Sequence, residues 1–220
     1  MLKLARKFKD LGLEGKRARQ YDAFSRQYRM RDFQGYSALA ASCLGQGASV
    51  LEVAPGPGYF CIELAKRGDF AITGLDISND LLEIARANAS RAGVKVDFIR
   101  GNASAMRFPD STFDLAFCAW AVKNFMEPVK VLHEIHRVLR RGGTALIVDL
   151  NHDATGQDWR GYAADRDLKG MTSLFMRMAF MIQRTRAYSV NQFEKLLDET
   201  AFQRREIRGR GINLCIRLAK

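Results

Sequence analysis

The sequence predicts an α/β protein built on an open, doubly wound sheet with helices on both faces. Apolar, β-branched runs alternate with helical patterns four times between Val50 and Leu150. Residue types that suit ligand binding stand directly after several of the predicted strands. Ligands of such sheets bind outside the carboxyl ends of the strands, so these residues are expected to meet at one edge.

The chain opens with a basic segment, residues 2–31, that has a helical pattern. Its apolar positions are scattered among many lysines and arginines, and they include Leu4, Phe8, Leu11, Phe24 and Tyr28. A second helix is predicted over residues 34–46, closed by Gly45 and Gly47. Residues 1–46 are therefore expected to form an N-terminal helical cap.

The loop after the first strand is the main functional signal. The run Val50–Val53 ends in Ala54-Pro55-Gly56-Pro57-Gly58, and a helix is predicted over residues 59–67. Glycines let the backbone approach a ligand, and the following helix start presents unpaired N–H groups. Tyr59 occupies the third glycine position of a dinucleotide fingerprint, and no Gly-Lys-Ser/Thr ending is present. The pattern that fits is acidic-x-Gly-x-Gly-x-Gly with Ala54 replacing the first glycine, which points to a nucleotide-like cofactor.

A carboxylate follows the second predicted strand, residues 70–75. Asp76 stands eighteen residues beyond Gly58 and could accept hydrogen bonds from both hydroxyls of a ribose. A helix is expected from Leu81 to Gly93, started by Ser78 and Asp80, and a third strand over residues 94–98.

The next elements complete the central region. A fourth strand is predicted over residues 115–118, a helix from Pro128 to Arg141 ended by Gly142 and Gly143, and a strand over residues 144–150. His133 and His136 lie three residues apart on that helix. They fall beside its apolar face without an evident third ligand, so packing is expected and no metal site is predicted.

The segment 151–188 is the least predictable part of the chain. Within it, residues 171–182 are apolar nearly all round, so a helix there would be buried or would sit against a membrane, a partner or a lipophilic substrate. Core packing is the expectation. Ser189 and Gln192 have capping-box spacing and predict a final helix to Ala201. Strands over residues 204–208 and 213–218 are expected to form a hairpin at a sheet edge.

Taken together, these motifs resemble the class I S-adenosylmethionine-dependent methyltransferases, in the branch of the quinone-biosynthesis C-methyltransferases and other small-molecule enzymes. Glu52-x-Ala54-x-Gly56-x-Gly58 resembles motif I, and residues 21–28 resemble a Tyr/Phe-Asp-x-x-Ala/Ser-x-x-Tyr segment that folds over the cofactor. Residues 132–143 resemble the Leu-x-Glu-x-x-Arg-Val-Leu-x-x-Gly-Gly segment. The resemblance covers residues ~21 to ~150. It implies a Rossmann-like seven-stranded sheet, mostly parallel with an antiparallel C-terminal hairpin strand, and S-adenosyl-L-methionine as cofactor, with S-adenosyl-L-homocysteine as product.

The resemblance also implies a set of cofactor-binding residues. Asp76 would hold the ribose, Ile77 would pack on the adenine, and Asn102, where the family usually has aspartate, would accept from the adenine amino group. The full set is Tyr21, Tyr28, Glu52, Ala54, Gly56, Gly58, Asp76, Ile77, Asn102, Ala103 and Cys118. Ala54 is acceptable in motif I if its φ is negative, as the following proline would allow.

Substrate residues are expected where related enzymes face the donor methyl group. The candidates are Trp120, Lys123 and Asn124, together with Met176 from the variable segment. A sulfonium already carries a good leaving group, so positioning is the main task and no catalytic residue is identified.

Charge and composition bound the remaining possibilities. Residues 1–40 carry ten basic and four acidic side chains, residues 151–220 carry thirteen and eight, and the central block is neutral within a net charge of +11. The basic flanks suit an anionic acceptor, a nucleic acid or an anionic membrane surface, or they simply form a solvated surface. The chain has no apolar run of ~18 residues and no leader pattern, and its four cysteines lack metal-type spacing, so a cytoplasmic protein with reduced thiols is expected.

The predicted organisation is a cap (1–46), a cofactor-binding core (47–150), an acceptor-site insertion (151–188) and a closing helix and hairpin (189–220). The leading function is methyl transfer to a small-molecule acceptor, anionic or lipophilic. An RNA methyltransferase is an alternative, although an Asn-Pro-Pro-Tyr-type motif is missing and a nucleic-acid partner is not expected. A non-catalytic binding protein is the other alternative, because Ala54 and Asn102 depart from the family pattern.

Overall fold

A computed structural model describes residues 12–220 of the chain. The helices in this part are α1 (Lys16–Tyr28), α2 (Met30–Ser42), α3 (Tyr59–Ala65), α4 (Asn79–Ala92), α5 (Pro128–Val138), α6 (Gly156–Asp165), α7 (Gly170–Arg184) and α8 (Val190–Asp198). The strands are β1 (Ser49–Val53), β2 (Ala71–Asp76), β3 (Asp97–Arg100), β4 (Phe113–Ala119), β5 (Leu139–Leu150), β6 (Arg204–Arg210) and β7 (Asn213–Ala219).

These strands form one seven-stranded sheet in the order β3-β2-β1-β4-β5-β7-β6. The first five strands are parallel, and β7 pairs antiparallel with both β5 and β6. The predicted fold class and the C-terminal hairpin are therefore confirmed. The strand order reverses between β1 and β4, and the crevice at such a reversal is where open sheets bind ligands.

The sheet is covered on both faces by apolar side chains. On one face the rings of Phe60 and Phe117 stack with centroids 3.7 Å apart, and on the other face Leu132, Ile135 and Phe193 are almost completely buried. Residues buried on both sides of the parallel strands fix the strand ends rigidly. This rigidity is what positions the loops at the carboxyl edge.

Several predicted boundaries differ from the structure. The first predicted helix is interrupted at Arg29, and its residues before Gly12 lie outside the described part of the chain. Helix α5 ends at Val138, three residues earlier than expected, because Leu139 already pairs with Phe113 of β4. The third strand pairs with β2 over residues 97–100, so only residues 97 and 98 of the predicted 94–98 belong to it. Motifs at strand ends were predicted more accurately than the elements between them.

The prediction of core packing for residues 171–182 is wrong. A helix does form there, but within α7 only Phe180 is buried. Met171 and Phe175 are 74% and 75% exposed. The all-round apolar pattern predicted the helix correctly, but the burial inferred from that pattern was wrong. No helix within residues 12–220 combines the length and the apolar character that crossing a membrane requires.

Candidate active site

A cavity of about 660 Å³ opens at the carboxyl ends of β1, β2 and β4. Its wall combines the loop after β1, the ends of β2 and β4, helix α1 and the inner side of α7. Predicted site residues on this wall are Tyr21, Ala54, Gly56, Asp76, Ile77, Asn102, Ala103, Trp120, Lys123, Asn124 and Met176. The structure places four others away from the wall, namely Tyr28, Glu52, Gly58 and Cys118.

The loop after β1 has three residues in the left-handed region. Gly56 and Gly58 have φ of 54° and 79°, and Ala54 has φ of 57°. The condition under which Ala54 would be free of strain, a negative φ, is therefore not met. The turn needs this conformation in order to continue from β1, while the N–H of Ala54 donates to the carbonyl oxygen of Leu75 at 2.8 Å. For a residue other than glycine, this left-handed conformation costs on the order of 1–2 kcal/mol.

Gly58 allows close packing of neighbouring elements and does not line the cavity. A Cβ at this position would lie 2.7 Å from the Phe98 ring and 3.0 Å from the Ala85 side chain. The glycine thus lets α3 begin close against α4 and β3. This contact explains the residue type without a direct role in ligand binding.

Asp76 ends β2 and is buried beside the loop. Its Oδ2 accepts from the N–H of Gly56 and its Oδ1 from the N–H of Ser78, both at 3.0 Å. Burial raises the pKa of this carboxyl group above its ordinary value, and the backbone hydrogen bonds oppose that rise. A carboxylate has about four lone-pair sites. The N–H groups of Gly56 and Ser78, with a smaller contribution from that of Ile77, use part of this capacity, and the rest remains for a ligand in the cavity.

Glu52 is buried inside the turn instead of facing the cavity. Its Oε2 accepts from the Cys61 backbone N–H at 3.2 Å and from Sγ of Cys61 at 2.8 Å. Because desolvation outweighs these hydrogen bonds, the pKa of Glu52 rises to about 8. Glu52 therefore links the end of β1 to helix α3. The acidic residue of motif I thus stabilises the turn in this protein. Cys118 is likewise fully buried in β4.

Helix α1 is fastened over the loop by its buried Asp22. Oδ1 of Asp22 accepts from the Tyr59 hydroxyl at 2.7 Å and from Nδ2 of Asn88 at 3.2 Å. The neighbouring Tyr21 lies on the cavity wall, with a ring carbon 3.1 Å from the position that a Cβ on Gly56 would occupy. Tyr28 instead packs on Phe24, with ring centroids 5.3 Å apart. Only the first tyrosine of the pair therefore reaches the cavity.

The side of the cavity where the resemblance implies the adenine is formed by the ends of β2 and β3. Ile77 and Ala103 line it, and Asn102 stands exposed at its rim. Oδ1 of Asn102 already accepts from the N–H and the hydroxyl of Ser104, at 2.9 and 3.0 Å. These bonds occupy the oxygen that was expected to serve as the acceptor for an adenine amino group.

The opposite side of the cavity is aromatic and carries a cation. Trp120 follows β4 with φ of 54°, and the guanidinium of Arg29 lies 3.9 Å from the centre of its ring. Nε and Nη1 of Arg29 are buried without a hydrogen-bond partner in the described chain. Ring faces, which attract cations, therefore hold this charge. Trp159 and Phe180 stack 5.4 Å apart and close this end.

Lys123 lies in the wall but its charge is already paired. Nζ lies 2.9 Å from Oδ1 of Asp149, and the two side chains are 5% and 1% exposed. Burial lowers the pKa of Lys123, although the nearby Asp149 opposes this. The ammonium is thus held inside the protein, whereas the neighbouring Asn124 is exposed at the cavity.

Sequence reasoning missed several wall residues. Arg29, Trp159, Tyr162 and Arg186 all line the cavity. Arg29 stands at the junction of α1 and α2, and the other three come from the variable segment 151–188. None belongs to a spaced motif. The only available signal was the excess of basic and aromatic residues in the flanks.

Comparison with known proteins agrees with this geometry. Residues 51–147 match the family model described as a methyltransferase domain. The chain is 33% identical over 142 residues to the demethylmenaquinone methyltransferase of Deinococcus radiodurans, covering 63% of this chain and 59% of that protein. It is 35% identical over 101 residues to the Thermus thermophilus protein of the same name, covering 46% of each. The chain thus spans about half the length of the curated relatives it matches.

A solved structure extends the likeness to the whole fold. A candidate S-adenosyl-L-methionine-dependent methyltransferase from Methanococcus maripaludis superposes with a TM-score of 0.77, covering 96% of this chain and 94% of the other. Its sequence is 22% identical, so this likeness concerns the fold. The resemblance to class I S-adenosylmethionine-dependent methyltransferases of the quinone-biosynthesis-like branch is confirmed.

The residues present fit the cofactor that this fold implies. Asp76 keeps acceptor capacity beside the Gly56 N–H, which suits the hydroxyls of a ribose. Ile77 and Ala103 provide an apolar slot at the next strand ends. Tyr21 and the end of β1 would enclose the remainder of the molecule, on the side of the cavity that leads toward Trp120.

Proposed function

Residues 51–147 match a methyltransferase domain, and from that premise we propose that the protein is a class I S-adenosylmethionine-dependent enzyme that methylates a small lipophilic aromatic acceptor of the hydroquinone class. The observation that carries the proposal is the two-sided cavity. One side offers Asp76 for a ribose, and the other offers an aromatic wall with a cation, Arg29, on it.

Cofactor positioning would depend on four residues. Asp76 would accept both ribose hydroxyls while Gly56 and Ser78 hold its carboxylate in place. Ile77 would pack on the adenine, and Tyr21 would cover the loop from helix α1. S-adenosylmethionine, when bound, supplies a methyl group activated by a sulfonium with a neutral leaving group. Alignment and exclusion of water can then lower the barrier by ~7 to 11 kcal/mol.

The acceptor wall supports an aromatic ring that bears an ionised oxygen. Trp120, Trp159, Tyr162, Phe180 and Met176 give it apolar and aromatic surface. Arg29 and Arg186 add positive charge, and among the described residues no carboxylate forms an ion pair with either. A phenolate or hydroquinone anion would be oriented by such a wall, and its negative charge activates the ring for attack on a methyl group. The curated relatives are named for a quinone acceptor, which agrees with this chemistry.

A direct test supplies the full-length protein with S-adenosylmethionine and a panel of acceptors. The panel contains a demethylated prenyl hydroquinone, a short-chain hydroquinone, an aromatic carboxylate, an amine and unmodified tRNA, with mass spectrometry of the products. We expect methylation of the hydroquinones. Methylation of tRNA alone, or cofactor binding without methylation of any aromatic acceptor, would contradict the proposal.

Variants separate the acceptor wall from the rest of the protein. Arg29→Gln removes the cation over Trp120 and should lower kcat/KM for a hydroquinone by about tenfold, because a charge-assisted contact is lost. Arg31→Gln is the matched control, since Arg31 lies on the exposed side of α2 and pairs with Asp165. Equal rates in the two variants would argue against a role of Arg29 in orienting the acceptor.

A further inference from the structure

Helix α7 presents an apolar stripe to the outside of the molecule. The stripe consists of Met171, Leu174, Phe175, Met178, Met181 and Ile182, whose spacing of three, four and seven residues places them on one side of a helix. Each is between 51% and 75% exposed. We call these six residues the outer stripe. Surfaces of this kind on a soluble domain mark a site of interaction.

The other side of the same helix faces the cavity. Met176, Phe180 and Gln183 line the cavity, and Phe180 stacks on Trp159 of α6. Arg184 donates from Nη1 to the carbonyl oxygen of Ala154 at 2.5 Å, which secures the end of the helix. The orientation of α7 is therefore fixed by its inner side. Within residues 12–220 no element covers the outer stripe.

The charges around α7 indicate which occupant fits. Residues 168–193 contain Lys169, Arg177, Arg184 and Arg186 and no acidic residue, and Lys169 pairs with the exposed Asp167 just before them at 2.7 Å. Arg177 is exposed, and its helical position lies beside the outer stripe. A second copy docked stripe to stripe would bring two sets of cations together. Anionic lipid headgroups would neutralise them, and the acyl region would take up the apolar side chains.

We propose that α7 is an interfacial helix that seats the outer stripe in the surface of an anionic phospholipid bilayer. Methionine, leucine and phenylalanine would enter the boundary between headgroups and acyl chains, while Arg177 contacts phosphates. The inner side of the helix would then place the cavity wall next to the lipid. This docking surface goes beyond the proposed function, and it stands whether or not the protein methylates a hydroquinone.

Vesicle flotation of the full-length protein tests the proposal without cofactor or acceptor. The vesicles are phosphatidylcholine alone or phosphatidylcholine mixed with phosphatidylglycerol. We expect strong binding to the anionic vesicles that weakens with added salt, and weaker binding to the neutral ones. Phe175→Gln/Met178→Gln should lower the partition coefficient on anionic vesicles by about tenfold or more, because two apolar side chains no longer leave water. Arg177→Gln should lower it about fivefold, and only on the anionic vesicles.

Matched controls keep the test decisive. Leu39→Gln changes an apolar side chain on α2 that is 54% exposed, so its partition should equal that of the unmodified protein. Circular dichroism verifies that each variant is folded, which the exposed positions favour. Absence of binding to anionic vesicles would overturn the proposal, and so would equal binding of the double variant. Light scattering offers a further outcome. If the unmodified protein is a dimer that does not bind vesicles, and the double variant is a monomer, the outer stripe binds a second copy and the proposal is overturned.

Discussion

Nζ of Lys123 lies 2.9 Å from Oδ1 of Asp149, and this buried pair joins the carboxyl ends of β4 and β5. Asp149 also accepts from the backbone N–H of Lys123 at 3.1 Å and from its following residue, Leu150, at 2.7 Å. The lysine that stands closest to the expected position of the sulfonium is thus neutralised within the protein. We expect this paired lysine to hold the floor of the cavity.

Removing one partner of this pair should destabilise the fold. Lys123→Met leaves the Asp149 carboxylate buried without its counter-charge, so the free energy of unfolding should fall by roughly 3–5 kcal/mol. Urea denaturation followed by circular dichroism measures this. Lys123→Met/Asp149→Asn should recover part of the loss, because no charge is then left buried, although the single amide oxygen can accept only one of the two backbone hydrogen bonds, which go to different oxygens of the carboxylate. A single variant as stable as the unmodified protein would refute the structural role.

Relief of strain at Ala54 should stabilise the protein. Glycine adopts φ near 57° without the penalty of about 1–2 kcal/mol that alanine bears, but it gives the unfolded chain more freedom. Ala54→Gly should therefore raise the free energy of unfolding by roughly 0.5–1 kcal/mol. Ala87→Gly, in the exposed interior of α4, is the control and should lower it by a similar amount. If both changes destabilise, the strain at Ala54 is absent.

Restoring the family acid at position 102 should strengthen cofactor binding. In Asn102→Asp one carboxylate oxygen would keep the hydrogen bonds from Ser104, and the other would be free to accept from the adenine amino group. A hydrogen bond to a charged acceptor is worth about 1.5–3 kcal/mol, so the affinity for S-adenosylmethionine should rise about tenfold. Isothermal titration calorimetry measures the change. Asn102→Ala is the control, and a gain there as well would show that the acid is not responsible.

The buried Glu52 should make stability depend on pH. Its pKa is about 8 in the folded protein and near 4.5 in the unfolded chain. Between these values the folded state holds a proton that the unfolded state releases, so the contribution of Glu52 to stability declines as pH rises toward 8 and is complete below 4.5.

Comparison with an isosteric variant isolates this effect. The glutamine in Glu52→Gln cannot titrate. The free energy of unfolding of this variant should therefore rise steadily relative to that of the unmodified protein from pH 5 to pH 8. The exposed Glu83→Gln in α4 serves as the control and should run parallel to the unmodified protein. A constant difference between Glu52→Gln and the unmodified protein across this range would contradict the raised pKa.

The sequence was most informative where a local motif requires a conformation. The glycine loop and Asp76 were placed correctly at the ends of β1 and β2, because strand ends followed by turn residues leave a clear signal. The negative φ that would have avoided strain at Ala54 is not adopted. A following proline disfavours the right-handed helical region for the preceding residue, yet the demands of the turn forced a positive φ that this preference alone does not indicate.

The acceptor side was less predictable because its residues come from distant segments. Arg29 reaches Trp120 only after α1 folds over the sheet, and no spacing in the sequence connects the two. Likewise, the apolar pattern of α7 is the same for a core helix and for a surface helix that docks elsewhere. Burial depends on the surrounding tertiary structure, which here leaves Phe175 exposed and Phe180 covered.

The most direct test of the account is calorimetric titration of S-adenosylmethionine into the unmodified protein, Asp76→Ala and the control Asp97→Asn on β3. The unmodified protein and the control should bind with equal affinity. Asp76→Ala should bind about a hundredfold or more weakly, since two hydrogen bonds to a carboxylate are lost. Absence of binding by the unmodified protein, or equal affinity in Asp76→Ala, would contradict the assignment of this cavity to the cofactor.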